Sequence, residues 1–104
     1  MENEYLFNIQ TPLNFYVHCT EEYWHRKIIM DHPVMAGKID DVRRTLSDPQ
    51  EVRQSRSDSD VYLFYATDTK RFVCAVARNV DGEGFLITAY RADKMKKGEV
   101  VWKK

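Results

Sequence analysis

The residues of greatest chemical interest are two histidines seven positions apart, His25 and His32. Seven residues make about two turns of an α-helix, so a helix would carry both histidines on one face. Near the C-terminus, Thr88 and Tyr90 are two apart, the repeat that puts side chains on the same face of a β-strand. Histidine exchanges protons near neutral pH, and hydroxyl groups donate hydrogen bonds. A helix with these histidines, packed on a sheet with these hydroxyls, can therefore form an acid–base cleft.

Such a cleft suits RNA cleavage without a metal ion. That reaction needs a base for the 2′-hydroxyl, an acid for the 5′-leaving oxygen and donors for the charged transition state. Arg53 and Ser55 lie in a basic, hydroxyl-rich stretch, 53–57, that can supply donors to phosphate. Four further cations of the C-terminal half are candidate substrate-binding residues: Lys70, Arg71, Lys94 and Lys97. Lys94 and Lys97 form a basic C-terminal patch with Lys96, Lys103 and Lys104.

Each of these residues also has a simpler interpretation. The histidines can be partly exposed residues at the edge of an amphipathic helix, and stretch 53–57 can be an ordinary solvated loop. Threonine and tyrosine are good strand formers wherever they occur. Lysines along a sheet edge discourage aggregation. Taken singly, the histidines, stretch 53–57 and the strand hydroxyls favour the simpler interpretation, and for the lysines the two interpretations are equally plausible. Only the combination of these residues favours one site.

Length and composition limit the possible classes of protein. A chain of 104 residues with 43% hydrophobic residues predicts a single domain over 1–104, with its core within about 14–102. No apolar run approaches the roughly 20 residues of a membrane span, and the acidic start 1–4 is unlike a secretory leader. Cys19 and Cys74 show neither a disulfide framework nor zinc-ligand spacing. We therefore expect a cytoplasmic protein without a cofactor or a metal site.

The net charge of zero argues against a simple polycation that coats nucleic acid. The charge is nevertheless uneven, because residues 1–52 hold five Lys/Arg against nine Asp/Glu, and residues 53–104 hold eleven against seven. The C-terminal half can therefore present a basic face to a partner. Alternatively, the acidic and basic halves neutralise each other inside the fold.

The hydrophobic pattern predicts an α+β fold. It indicates an N-terminal strand over 14–19, a helix from Thr20 to about Asp31, and a second helix over 34–47 with one apolar stripe. Residues 50–60 are the least apolar stretch and predict a loop. Four strands follow at 61–67, 72–79, 84–91 and 99–102, with 72–79 apolar on both faces and therefore central. The predicted architecture is an N-terminal strand and two helices on one face of a four-stranded antiparallel sheet.

An ordered set of short motifs covers about residues 14–102: Tyr23-Trp24-His25, His32-Pro33, Leu46-Ser47-Asp48-Pro49, Val52-Arg53-Gln54-Ser55, Tyr62 to Tyr65, Phe85 to Tyr90, and Lys97-Gly98-Glu99 with Trp102. In this order they resemble the phage-type nuclease domains of the barnase–EndoU–colicin–RelE group. The resemblance implies a metal-independent endoribonuclease with helices on an antiparallel sheet. It also implies a toxin-like context, with RNA as substrate and a small antitoxin as partner.

The resemblance places the site on the same six residues: His25, His32, Arg53, Ser55, Thr88 and Tyr90. We expect His25 first as general base or acid, with His32 as its partner or as a phosphate ligand. Arg53 would stabilise transition-state charge, and the three hydroxyl residues would position the phosphate or a base. The alternative is a non-catalytic module of the same fold that binds RNA or a protein.

Overall fold

Seven β-strands form one sheet in the computed structural model, which describes residues 5–95 and 97–104. The strands are β1 Tyr5–Gln10, β2 Tyr16–Thr20, β3 Glu51–Gln54, β4 Val61–Asp68, β5 Arg71–Val80, β6 Glu83–Ala92 and β7 Glu99–Lys103. Their order across the sheet is β1-β2-β6-β5-β4-β3-β7. The acidic start at 1–4 and Lys96 of the basic patch lie outside the described residues.

The predicted four-stranded antiparallel sheet is wrong, because the sheet has seven strands and is mixed. β2 pairs in parallel with β6, and the other neighbours are antiparallel. Gly84 lets the two parallel strands approach closely, because a Cβ atom at this position would lie only 2.5 Å from the Tyr16 carbonyl oxygen. The strand predicted at 14–19 therefore belongs inside the sheet, and it carries β1 at its outer side.

β3 lies within the stretch predicted as a loop. Its polar residues Glu51 and Arg53 bond to each other on one face of the sheet, while Val52 is fully buried on the other. The strand was not predicted because Glu51 and Arg53 form an ion pair on a face where a strand usually alternates apolar with polar residues. The strand joins β4 on one side and β7 on the other.

The first helix begins where Thr20 accepts a hydrogen bond from the Tyr23 amide at 3.1 Å, the expected N-cap. It starts as an α-helical turn, Glu21–Tyr23, and continues as a π-helix, Trp24–Ile29. Beyond the 3₁₀ turn Pro33–Met35, the second helix, α2, spans only Ile39–Ser47. The predicted start at residue 34 is wrong because Gly37, at φ 78°, interrupts the helical backbone.

The helices cover one face of the sheet, which we call the covered face. Its core contains Trp24, Ile28, Met35, Val42 and Leu46 from the helical segments. On the opposite, open face, a second buried cluster consists of Leu63, Tyr65, Cys74 and Val76. β5 contributes to both clusters, which confirms the prediction that it is central. Within the described residues, no helix is long and apolar enough to cross a membrane.

The second half of β6 pairs with β5 on one edge, and its other edge lies beside the first helix instead of beside a strand. β2 pairs with β6 only from Glu83 to Phe85. Farther along, the Tyr23 hydroxyl donates a 2.6 Å hydrogen bond to the Ile87 carbonyl. The connection from the first helix to α2 thus passes the edge of β6, where it can bring side chains toward the open face.

Candidate functional site

A bulge in β6 places Thr88 and Tyr90 on the open face. Ala77 of β5 is opposite Leu86, but the next residue, Val76, is opposite Thr88, so Ile87 is the extra residue. Leu86 therefore packs into the covered face, while Thr88 and Tyr90 point the other way. In a regular strand Leu86 would share the face of Thr88 and Tyr90, but the bulge reverses the alternation of side chains.

Tyr65, Cys74 and Tyr90 lie directly across from one another on β4, β5 and β6. Burial raises the pKa of Tyr65 to about 12 and that of Cys74 to about 11. Burial also raises the pKa of Tyr90, and hydrogen bonding with Cys74 and Tyr65 raises it further. All three groups therefore remain protonated at neutral pH and act as hydrogen-bond donors there.

Beside the two tyrosines is a pocket of about 300 Å³, which we call the tyrosine–lysine pocket; it is lined by Tyr65, Tyr90, Ala92, Asp93, Lys94 and Lys97. The backbone N–H of Lys97 donates to the Tyr65 hydroxyl, and the positive charge of Lys97 lowers the pKa of Cys74 against the effect of burial. The exposed lysines thus lie over neutral hydroxyl groups, an arrangement that suits an anion.

His32 packs beside Tyr90, one of the residues that line this pocket. Its ring centroid is 5.7 Å from that of Tyr90, with the two planes tilted by 43°. Pro33 disfavours helical geometry at the preceding residue, and His32 adopts φ −136° and ψ 79° instead. The proline thereby ends the helix and leaves the half-buried imidazole next to β6.

His25 does not share this position. Its side chain is 61% exposed, and its Nε2 lies 3.9 Å from a Glu21 carboxylate oxygen. The seven-residue argument requires an α-helix, but residues 24–29 form a π-helix, whose wider i→i+5 turns change which residues share a face. Of the two histidines, His32 and not His25 therefore lies beside a residue that lines the tyrosine–lysine pocket.

Arg53 and Ser55 lie on the same side of the sheet with different roles. Arg53 is 18% exposed, bonds Glu51, and lies close enough to Tyr65 for its charge to lower the pKa of that hydroxyl. The Ser55 hydroxyl lies 3.2 Å from that of Ser57 and accepts the Ser57 amide hydrogen at 3.3 Å. Arg53 is thus next to the pocket, whereas Ser55 shapes the β3–β4 loop.

The other candidates are distributed around this region. The Thr88 hydroxyl oxygen is buried, and no group in the described part of the chain bonds to it, so it does not reach the pocket surface. Lys70 lies in the β4–β5 turn, and Arg71 pairs at 3.5 Å with Asp93 on the pocket wall. Lys104 bonds Asp48 at 3.1 Å, away from the pocket.

Two residues of the pocket region, Tyr65 and Cys74, were not predicted as site residues. A two-residue turn at 69–70 fixes the β4–β5 register and therefore sets Tyr65 opposite Cys74. The alignment with Tyr90 depends on the β6 bulge, for which the sequence has no clear signal. The pairing of Tyr65 with Cys74 could therefore be predicted from the sequence, whereas the pairing of Cys74 with Tyr90 could not.

Neither a family model nor a curated protein nor a solved structure matches the chain. Among residues 5–95 and 97–104, no group of three or more His, Cys, Asp or Glu side chains is placed to hold a metal ion.

Proposed function

We propose that the chain is a metal-independent endoribonuclease and that the tyrosine–lysine pocket binds the phosphate at which RNA is cut. The observation that carries this proposal is the position of His32, whose ring is 5.7 Å from that of Tyr90, a residue that lines the pocket together with Lys94 and Lys97. A proton-transfer group thus lies beside a pocket that has cations and neutral donors. Phosphoryl chemistry on RNA needs these three kinds of group.

In the proposed reaction, the ribose 2′-oxygen attacks the adjacent phosphorus while the bond from phosphorus to the 5′-oxygen breaks. The general base takes the proton of the 2′-hydroxyl, and the solvent delivers a proton to the departing 5′-oxygen. The products are a 2′,3′-cyclic phosphate and a 5′-hydroxyl. No water, metal or cofactor is consumed, so the chain needs only proton transfer and stabilisation of charge.

His32 is the general base of this proposal, because the other groups at the pocket are poorly suited to that role. The raised pKa values of Tyr65 and Tyr90 keep both hydroxyls protonated, and lysines are cations at neutral pH. The Asp93 carboxylate is 83% exposed and pairs with Arg71. A neutral imidazole is the side chain that best accepts a proton near pH 7.

Lys94 and Lys97 stabilise the negative charge that develops on the phosphate oxygens, and the Tyr90 hydroxyl donates a hydrogen bond to one of them. Arg53 supports the site through its charge beside Tyr65. The proposal includes action on RNA in the cytoplasm, where the buried thiols of Cys19 and Cys74 would remain reduced. It also includes a toxin-like role, in which a small antitoxin inhibits the enzyme by covering the open face.

The test is cleavage of end-labelled single-stranded RNA by the purified chain in the presence of a chelator. The wild type is expected to give fragments ending in a 2′,3′-cyclic phosphate. His32→Ala should cut about 100-fold more slowly or worse, since proton transfer contributes roughly that much.

His25→Ala is the matched control, because it removes the same side chain from an exposed helical position. It should cut at nearly the wild-type rate. An equal loss in both variants would remove the reason to place the base at His32. Absence of cleavage by the wild type, with the fold verified by circular dichroism, would contradict the nuclease proposal itself.

A further inference from the structure

A second concave region lies on the open face at the other end of β6, which we call the aromatic cleft. It has a volume of about 360 Å³ and is lined by Tyr5, Asn8, Tyr16, His18, Asp81, Gly82 and Glu83. The cleft spans β1, β2 and the β5–β6 turn. None of these residues belongs to the tyrosine–lysine pocket, so the cleft is a separate feature.

Aromatic rings dominate one wall of the cleft and remain accessible. Tyr5 stacks on His18 with ring centroids 4.5 Å apart, and Phe85 lies 6.4 Å from His18. Tyr5 and Tyr16 are each 49% exposed, and Phe85 is 40% exposed. Flat rings with open faces are the groups on which proteins stack unpaired nucleic-acid bases.

The aromatic cleft has mainly negative charges, whereas the tyrosine–lysine pocket has mainly positive ones. Asp81 and Glu83 are exposed carboxylates in and beside the β5–β6 turn. They repel phosphate but accept hydrogen bonds from the N–H groups of a base edge. Guanine carries two adjacent groups of this kind, an imino N–H and an amino group, so a pair of carboxylates suits it better than the other bases.

β6 links the two regions. Because of the bulge at Ile87, the segment from Phe85 to Tyr90 runs along only four residue steps of β5. At about 3.4 Å per step it covers about 14 Å, and both residues point to the open face. A few nucleotides of extended single-stranded RNA cover such a distance. A strand held by its phosphate at the lysines can therefore place a neighbouring base in the aromatic cleft, whereas a duplex keeps its bases stacked inside the helix.

We infer that the aromatic cleft is a base-binding subsite that holds an unpaired guanine of the RNA substrate, close to the phosphate that is cut. Tyr16 and the Tyr5–His18 stack contact the face of the base, and the carboxylates of Glu83 and Asp81 accept its N–H groups. The inference rests on the proposed ribonuclease function, because it assigns the substrate and cut-site preference of that same site.

The experiment measures binding of labelled pentanucleotides that are 2′-O-methylated and so lack the nucleophile for cleavage. UUGUU, UUAUU and UUUUU are titrated against the wild type, and UUGUU also against Tyr16→Leu and Tyr16→Phe. UUGUU should bind about tenfold more tightly than the other two. Tyr16→Leu should weaken UUGUU binding about tenfold, because one stacked base is lost, whereas Tyr16→Phe keeps the ring and the affinity.

Two further variants test the edge of the base. Glu83→Gln with Asp81→Asn should bring UUGUU to the affinity of UUUUU; asparagine suits position 81 because it tolerates the φ of 54° found there. Val101→Ala removes an exposed apolar group from β7 and should change nothing. Equal binding of the three pentanucleotides, or unchanged binding by Tyr16→Leu, overturns the subsite. Since binding is measured without cleavage, that result is distinct from a failure of the wild type to cut RNA.

Discussion

The two faces of the sheet are built from the same strands but differ in what they bury. On the covered face, the side chains of the helical segments and the sheet form one apolar core. On the open face, a small apolar centre at Leu63 and Val76 separates a pocket with lysines and tyrosines from a cleft with rings and carboxylates. One face therefore provides most of the folding free energy, while the other leaves polar groups free for a ligand.

The largest expected difference between the faces is in stability. Leu46 on α2 is fully buried, and Leu46→Ala should lower the free energy of unfolding by about 2–5 kcal/mol, the range for a leucine cavity in a packed core. Leu63→Ala on the open face should cost less, since its smaller cluster lets neighbouring side chains and water fill the space. Urea unfolding followed by the fluorescence of the buried Trp24 measures both. Equal losses would mean that the open face is as important for folding as the covered face.

The apolar pattern predicted the covered face well. Met35, Val42 and Leu46 of the predicted stripe are buried, although the helix that carries two of them begins later than expected. The central position of β5 was also readable, because its residues are apolar on both faces. These features depend on burial, and burial is the property that a hydrophobic pattern reports most directly.

The open face was harder to predict because its geometry depends on departures from regular structure. The π-helix separates His25 from His32, and the bulge at Ile87 changes the side on which later residues of β6 lie. The sequence nevertheless indicated His32, Arg53 and Tyr90, which the structure brings close to the tyrosine–lysine pocket. Periodic spacing identifies residues of the right chemical type but fails where the backbone repeat changes.

A smaller effect concerns the electrostatic part of RNA binding. Lys94→Ala with Lys97→Ala should reduce the slope of log affinity against log salt concentration by about 1.4, since each phosphate contact to a single strand contributes about 0.7. The matched control is Arg26→Ala with Arg43→Ala, which removes two exposed cations from the helical segments. Equal changes in slope for the two pairs would show that RNA binds through net charge and not through the open face. Binding of 2′-O-methylated RNA between about 50 and 200 mM salt provides the measurement.

The smallest predicted effect concerns the buried hydroxyls beneath the pocket. The pKa of Tyr65 is about 12 in the folded chain against about 10 in an unfolded one, so folding favours the neutral phenol. The stability that this difference provides is complete below pH 10 and is lost as the pH rises through 12. The free energy of unfolding should therefore fall over this window, and Tyr65→Phe should make the fall shallower.

At pH 7, Tyr65→Phe should cost about 1 kcal/mol, because the Lys97 amide loses its acceptor. Tyr65→Phe with Tyr90→Phe should flatten the alkaline profile further, since the pKa of Tyr90 is raised as well. Tyr16→Phe, which removes an exposed hydroxyl, controls for the loss of any one phenol. If the wild type and the double variant lose stability equally between pH 10 and 12, the two hydroxyls ionise as freely in the fold as in the unfolded chain. Burial on the open face would then not favour the neutral form of either phenol, and the two hydroxyls would behave like those of exposed tyrosines.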